Sequence, residues 1–339
     1  MTLSIIVGGF FGDEGKGKVN AYLALADKPT IAVRCGAVNA GHTVVYRGRS
    51  WKLRIVPSAF VNPRTKLLVA PGALVRLDVL RKEVEETGVK NRLFLDKHTG
   101  IIEERHVEYE RRDAHLSGKI GSTLQGVGAA MMDRVMRRLR LVKDFAELRE
   151  MTTDVAEEVH RAMMWGGDIV VEGTQGTFLS LYHGTYPYVT SRDTTASAFA
   201  SEVGIGPKDV DEVIVVFKSF VTRVGGGPLP GELGEEEARR RGLVEYATVT
   251  GRPRRVAPFN IELAKRAVML NSATQVAIMK LDAIFPESRN VREWCKLPLE
   301  ARRWVEEIES ALQIPVTLIG TGEEAESMVD RRRELGFKV

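Results

Sequence analysis

Five glycines, two carboxylates and a lysine fall within ten residues near the start of the chain, in GGFFGDEGKG from Gly8 to Gly17. Glycines let backbone N–H groups close on an anion and a lysine supplies charge, so the stretch reads as phosphate-binding. Its spacing departs from the usual G-x-x-x-x-G-K-[ST]. Gly9 lies one residue too far from Gly15-Lys16, and Gly17 stands where a Mg²⁺-holding hydroxyl belongs. A carboxylate, Asp13, sits inside the loop instead. Asp13 could be a turn residue, a metal ligand or a general base. Two carboxylates beside phosphate would repel it unless one is neutralised. That conflict favours metal binding combined with proton transfer for Asp13.

Other stretches offer chemistry. His42, in Asn39-Ala40-Gly41-His42-Thr43, is one of six histidines and sits in a small-residue loop, where it could act as acid or electrophile. Met279-Lys280-Leu281-Asp282 resembles the [NT]-K-x-D tetrapeptide that recognises guanine. A carboxylate accepts from the two guanine N–H groups, which adenine lacks. Gly251-Arg252-Pro253-Arg254-Arg255 gathers three arginines on a loop, suited to clamping carboxylate or phosphate. Gly121-Ser122-Thr123-Leu124-Gln125-Gly126 could receive a second phosphate, with Arg137 and Arg138 nearby.

These residues need a frame. Apolar runs of strand length alternate with helical patterns, which predicts an α/β fold: a mostly parallel central sheet flanked by helices, like that of phosphate-loop nucleoside triphosphatases, with extra hairpins and loops. Ser4–Val7 reads as the first strand and Lys18–Ala26 as the first helix. Later helices are predicted over Leu74–Glu86, Ala129–Leu139, Asp144–Trp165 and Glu323–Leu335. Glycine-rich segments follow the strands, so they should converge beyond the strands' carboxyl ends. No linker or repeat interrupts the 339 residues, and one α/β catalytic domain over 1–339 is the simplest organisation. No apolar run nears the about 20 residues a membrane span needs, and no signal peptide is visible. Two cysteines without a framework fit a cytoplasmic protein. A net charge of +4 suits small anions better than nucleic acid, for which only Arg134–Arg140 argues.

Taken together, the motifs resemble those of the adenylosuccinate synthetase family: GDEGKGK (Gly12–Lys18), NAGHT (Asn39–Thr43), IGST (Ile120–Thr123), EGTQGT (Glu172–Thr177), HGTYPYVTS (His183–Ser191), TRVGGGP (Thr222–Pro228), TGRPRR (Thr250–Arg255), KLD (Lys280–Asp282) and GTG (Gly320–Gly322). The resemblance implies GTP-dependent ligation of IMP and L-aspartate to adenylosuccinate, with GDP and phosphate released through a 6-phosphoryl-IMP intermediate. This is the first committed step from IMP to AMP. It implies catalysis by Asp13, Lys16, His42 and Gln175, with Asp13 and the Gly41 carbonyl on Mg²⁺. GTP would contact Gly12, Glu14, Gly15, Lys16, Gly17, Gly41, His42, Thr43 and Arg254, with Lys280, Asp282, Gly320, Thr321 and Gly322 around guanine. IMP would meet Asp13, Lys16, Asn39, Ala40, Gly41, His42, Thr123, Gln175, Thr190 and Arg252, and Arg137 of a partner in a homodimer. Aspartate would meet Thr250, Gly251 and Arg252. Four positions depart from the family's habit: Met279 for threonine, Pro253 for arginine, Gly320 for serine and Tyr182 for aspartate. A different GTP- or ATP-dependent ligase on the same scaffold is the alternative. A GTP-binding switch is disfavoured, because the hydroxyl expected at Gly17 is missing.

Overall fold

A computed structural model describes residues 2–246, 251 and 253–338. Its centre is a ten-stranded sheet. In chain order the strands are β1 (Leu3–Gly8), β2 (Ile31–Arg34), β3 (Lys66–Val69), β4 (Leu93–Asp96), β5 (Thr152–Thr153), β6 (Ile169–Glu172), β7 (Glu212–Lys218), β8 (Gln275–Met279), β9 (Val316–Gly320) and β10 (Met328–Asp330). Their order across the sheet is β10-β9-β8-β7-β1-β6-β2-β3-β4-β5. Only β10 runs antiparallel to its neighbour. The inner strands are apolar throughout because both faces are covered. Ile5 and Val7 pack with Val215, Phe217, Val276 and Ile278 on one face. Ile6 turns to the other, with Val19 and Leu23 of helix α1 (Lys16–Ala26), Val216 and Leu318.

β1 is thus in the middle of the sheet, paired parallel with β6 on one side and β7 on the other, and its loop opens at their shared carboxyl edge. The predicted convergence of loops at the carboxyl ends is what the fold delivers. Four local expectations do not hold. Leu74–Val75 pairs with Gly100–Ile101 as a short strand, and the helix starts only at Leu77. The helix predicted over Ala129–Leu139 runs from Val127 to Val135, and Arg137 turns left-handed (φ 61°) just beyond it. The stretch predicted as one helix over Asp144–Trp165 contains β5 at the sheet edge. Thr152 and Thr153, β-branched, pair with Leu95 and Asp96, and Asp154 then caps a helix over Val155–Met164 by accepting from Glu157 N–H. Glu323–Leu335 forms no helix. Arg332 grips Asp27 (2.6 and 2.9 Å) and Asp330 (2.7 Å), and Arg331 bonds the carbonyl of Val316, which holds the segment against the sheet as β10. The long-range Arg332–Asp27 pair and the Arg331–Val316 bond override the helical pattern.

Candidate active site

The loop from Gly9 to Gly15 owes its shape to Glu14. Its buried carboxylate accepts from the backbone N–H of Phe10 (3.0 Å) and Gly12 (2.7 Å) and from Lys16 Nζ (2.6 Å). The Glu14 side chain is therefore a staple inside the loop and is turned away from any ligand. Gly15, at φ 95°, leads into α1 with no side-chain cap, so the first amides of the helix are not spent on a capping group. Asp13 sits at φ 62°, a left-handed conformation costing about 1 kcal/mol. Gly17 explains the missing hydroxyl. A Cβ there would lie 2.8 Å from His42 Cβ and 3.2 Å from the Thr43 carbonyl. The strand carrying His42, His42–Tyr46, approaches α1 too closely for a side chain.

His42 is held from behind. Its Nδ1 lies 2.5 Å from Glu172 Oε1, at the carboxyl end of β6. Arg34, at the end of β2, donates to the same oxygen (2.6 Å), as does Ser58 Oγ (2.7 Å). Arg34 Nη1 also lies 2.9 Å from Nδ1, but the shorter carboxylate contact requires a proton between nitrogen and oxygen and so favours the Nδ1–H tautomer. Nδ1 is thus spent on Glu172, and only Nε2 can serve a ligand. Burial, then the Arg34 charge, pulls the imidazole down to about 4. Burial raises Glu172, but the Arg34 charge and the hydrogen bonds from His42 and Ser58 outweigh it and hold the carboxyl below the usual carboxylate range.

In front of His42 lies a cavity of about 390 Å³. Gly12, Asp13, Lys16, Asn39, Ala40, Gly41, His42, Thr123, Gln175 and Thr190 all line it, ten residues drawn from five separate stretches of sequence. Gln175, left-handed at φ 58°, donates from Nε2 to Asn39 Oδ1 (3.1 Å) and receives Thr174 Oγ1 (2.7 Å). Strain on two buried or half-buried polar residues at one cavity marks a positioned site. Arg223, buried and stacked 4.4 Å over the Phe11 ring, braces the far wall. It bonds the carbonyls of Tyr188 (2.8 Å) and Pro228 (2.7 Å).

A second cluster stands at the ends of β8 and β9. Lys280 is left-handed (φ 59°) and starts a short helix holding Asp282. Lys18 reaches from α1 to the carbonyls of Gly322 (2.6 Å) and Ser327 (2.7 Å), tying the phosphate loop's helix to this corner. Burial lowers it to about 8. Thr321 is fully buried, with its hydroxyl on the carbonyl of Val291, so its side chain is not offered to a ligand. Met279 and Gly320 fit one another: a Cβ on Gly320 would lie 2.8 Å from Met279 Sδ. The larger residue at one position is matched by the smaller at the other. Arg254 links the two clusters. Its Nε is 3.1 Å from Asp13 Oδ2, as an ion pair without a directed hydrogen bond, and its Nη1 is 2.5 Å from Glu245 Oε2.

Thr43 is exposed on its strand, Gly251 is exposed on its loop, and Arg137 is exposed outside the cavity. Thr250 and Arg252 lie outside the described residues. Sequence reasoning missed Arg34, Glu172, Arg223, Lys218 and Glu245 as site residues. Three of these share a signal: a single charge closing an apolar strand, in IAVR, IVVE and VIVVFK. Such a charge is buried at the sheet's carboxyl edge, where ligands bind.

A parallel sheet with a glycine-rich phosphate loop at its central strand and a lysine–aspartate pair two strands away defines an α/β nucleotide-dependent enzyme of the phosphate-loop type. The family model for adenylosuccinate synthetase matches residues 5–147 and 139–288. The adenylosuccinate synthetase of Methanocaldococcus jannaschii is 52% identical over 339 residues, covering 99% of this chain and 98% of that one. That of Pyrococcus horikoshii is 50% identical over 336 residues, covering 98% and 99%. Among solved structures, the fully ligated Plasmodium falciparum adenylosuccinate synthetase matches with a TM-score of 0.89 at 23% identity, covering 97% of this chain and 100% of that one. A cyanophage S-2L succinoaminodeoxyadenylate synthetase, bound to dGMP and to dATP as an energy donor, matches with a TM-score of 0.79 at 24% identity, covering 98% and 97%. At such identities these two structures speak for the fold.

The chain belongs to the adenylosuccinate synthetase family. It is a ligase that forms a carbon–nitrogen bond between IMP and L-aspartate at the expense of GTP, releasing adenylosuccinate, GDP and phosphate.

Proposed function

We propose that the cavity holds IMP against the γ-phosphate of GTP and that Asp13 is the base. Asp13 takes the proton from N1 of IMP, and O6 attacks γ-phosphorus. The bond from phosphorus to the bridging oxygen breaks, and GDP leaves. The amine of aspartate then adds at C6, and phosphate departs with O6. Lys16 and the amides at the start of α1 neutralise phosphate charge. His42, held at Nδ1 by Glu172, turns Nε2 to the phosphoryl group, and triphosphate charge raises the basicity of the ring so that Nε2 donates. Gln175, Asn39, Thr123 and Thr190 orient IMP; Lys280 and Asp282 read guanine; Thr250, Gly251 and Arg252 take aspartate.

The observation that carries this reading is the meeting of a strained aspartate, the loop lysine and a Glu172-anchored histidine on one cavity wall. No group of three or more His, Cys, Asp or Glu that could hold a metal stands among the described residues. One carboxylate and one carbonyl on a shared wall suit Mg²⁺, which keeps waters and takes phosphate oxygens. Asp13 and the Gly41 carbonyl would hold it, and bound there it supplies charge neutralisation across the phosphates.

Arg137 completes a partner's IMP site in a homodimer. The exposed Met132, Val135 and Met136 beside it, from 48% to 71% accessible, support that face as the contact. The whole chain acts as one catalytic unit in the cytoplasm. No helix among the described residues is long and apolar enough to cross a membrane.

Chromatography of reactions lacking GTP, IMP, aspartate or Mg²⁺ in turn tests the scheme. Adenylosuccinate forms only with all four. Asp13→Ala lowers kcat by about a thousandfold or more in a folded protein, and Asp282→Asn erases the preference for GTP over ATP. Turnover retained by the first, or preference retained by the second, contradicts the assigned roles.

A further inference from the structure

Glu245 has no part in the scheme above, yet three cations from three elements meet on its carboxylate. Lys218, closing β7, is 2.7 Å from Oε2. Arg254 is 2.5 Å from the same oxygen. Lys280, following β8, bonds Oε1. Glu245 is only about a tenth exposed and Lys218 is fully buried, so this pairing is desolvated. Lys218 also donates to Thr222 Oγ1 (2.7 Å) and sits 4.5 Å over the Phe220 ring, which fixes the cluster to the sheet. Burial works against the Glu245 charge, but the cations overcome it and hold the carboxyl down at about 2.

The backbone makes the same connection. Arg254 N–H donates to the Glu245 carbonyl (2.9 Å), and Tyr246 pairs with Pro253 in an isolated antiparallel bridge. Glu245 and Arg254 are therefore paired through their backbones on either side, in sequence, of residues 247–252. One side chain touches the lysine assigned to guanine, the arginine that pairs with Asp13, and the base of the segment assigned to aspartate.

We propose that Glu245 is a positioning residue that sets Lys280 and Arg254 together, so that the guanine site and the aspartate loop are aligned on Asp13 by one carboxylate. This rests on the roles proposed above for Lys280, Asp13 and residues 250–252, and on the GTP contact that the family resemblance implies for Arg254. Three cations and two carboxylates leave the cluster with one net positive charge beside the phosphate loop. Without Glu245 the three cations repel one another, Lys280 loses the anchor for its ammonium, and the Arg254 side chain keeps, among the described residues, the ion pair with Asp13. Of the residues proposed to meet IMP, Asn39, Thr123, Gln175 and Thr190 have no contact with Glu245 or its three cations, and Asp13 meets the cluster only through Arg254.

The test is steady-state kinetics of Glu245→Gln, which keeps size and removes charge. KM for GTP and KM for aspartate each rise about tenfold, the worth of a lost charge-assisted hydrogen bond, while KM for IMP stays within about twofold. Glu245→Asp, charged but too short to reach all three partners, shows the same split to a smaller extent and serves if the glutamine variant does not fold. Lys280→Ala raises KM for GTP in the parent but adds little in the Glu245→Gln background. A fall in kcat alone, or an equal rise in all three KM values, overturns the proposal. The two levels separate cleanly. If Asp13→Ala and Asp282→Asn behave as stated while Glu245→Gln leaves both KM values unchanged, only this inference fails. If those variants stay active and selective, the underlying roles fail first.

Discussion

At the scale of single residues, the site is a set of charges whose surroundings decide what they can do. Asp13 and Glu14 are neighbours with opposite fates: one lines the cavity in a strained conformation, the other is sealed inside the loop under two amides and a lysine. Both carry the same chemistry in the sequence, so only the fold could separate them. Lys18 gives a pH dependence. Its ammonium bridges the carbonyls of Gly322 and Ser327, and burial lowers it to about 8. As pH rises through that value the bridge weakens, so KM for GTP climbs between about pH 7 and pH 9. Lys18→Met raises KM for GTP and flattens its rise between about pH 7 and pH 9. Stability moves the other way. The folded value lies below the unfolded one, so the native state releases its proton first and unfolding free energy rises with pH between about 8 and 10.5. Kinetics and denaturant titrations across that range check both signs.

At the scale of elements, the departure of the phosphate loop from the usual pattern has a packing cause. The strand bearing His42 lies against the start of α1, and Gly17 is the gap that admits it. Gly17→Ser would restore the familiar hydroxyl. It would instead drive a Cβ into that of His42, which has no flexible end to move aside. The substitution therefore costs about 1–3 kcal/mol in denaturant unfolding and lowers kcat by displacing His42. A stable, fully active serine variant would show that the close approach does not matter. The loop and His42, which the structure brings to one cavity, stand out in sequence by glycine spacing and charge. Glu172 and Arg34 do not, since a charge ending an apolar strand also reads as an ordinary strand boundary. The segments misjudged as helix, around Thr152 and Met328, were decided by edge pairing and by the grip of Arg332, which no local periodicity records.

At the scale of the whole molecule, one sheet from Leu3 to Asp330 brings the strand ends that carry the glycine-rich loop, Arg34, Glu172, Lys218 and Lys280 to a single edge. Arg137 is left outside that edge, exposed beside Met132, Val135 and Met136. Light scattering coupled to gel filtration should give a dimer, and Met136→Asp should yield a monomer with KM for IMP raised about tenfold. A fully active monomer would remove the role of Arg137 in trans.

The central claim is that O6 of IMP becomes bonded to the γ-phosphorus of GTP before aspartate arrives at C6. IMP labelled with oxygen-18 at O6 tests it directly. Mass spectrometry of the products should find the label in inorganic phosphate, and none should be transferred by Asp13→Asn. Label recovered in water, with unlabelled phosphate, would contradict the account.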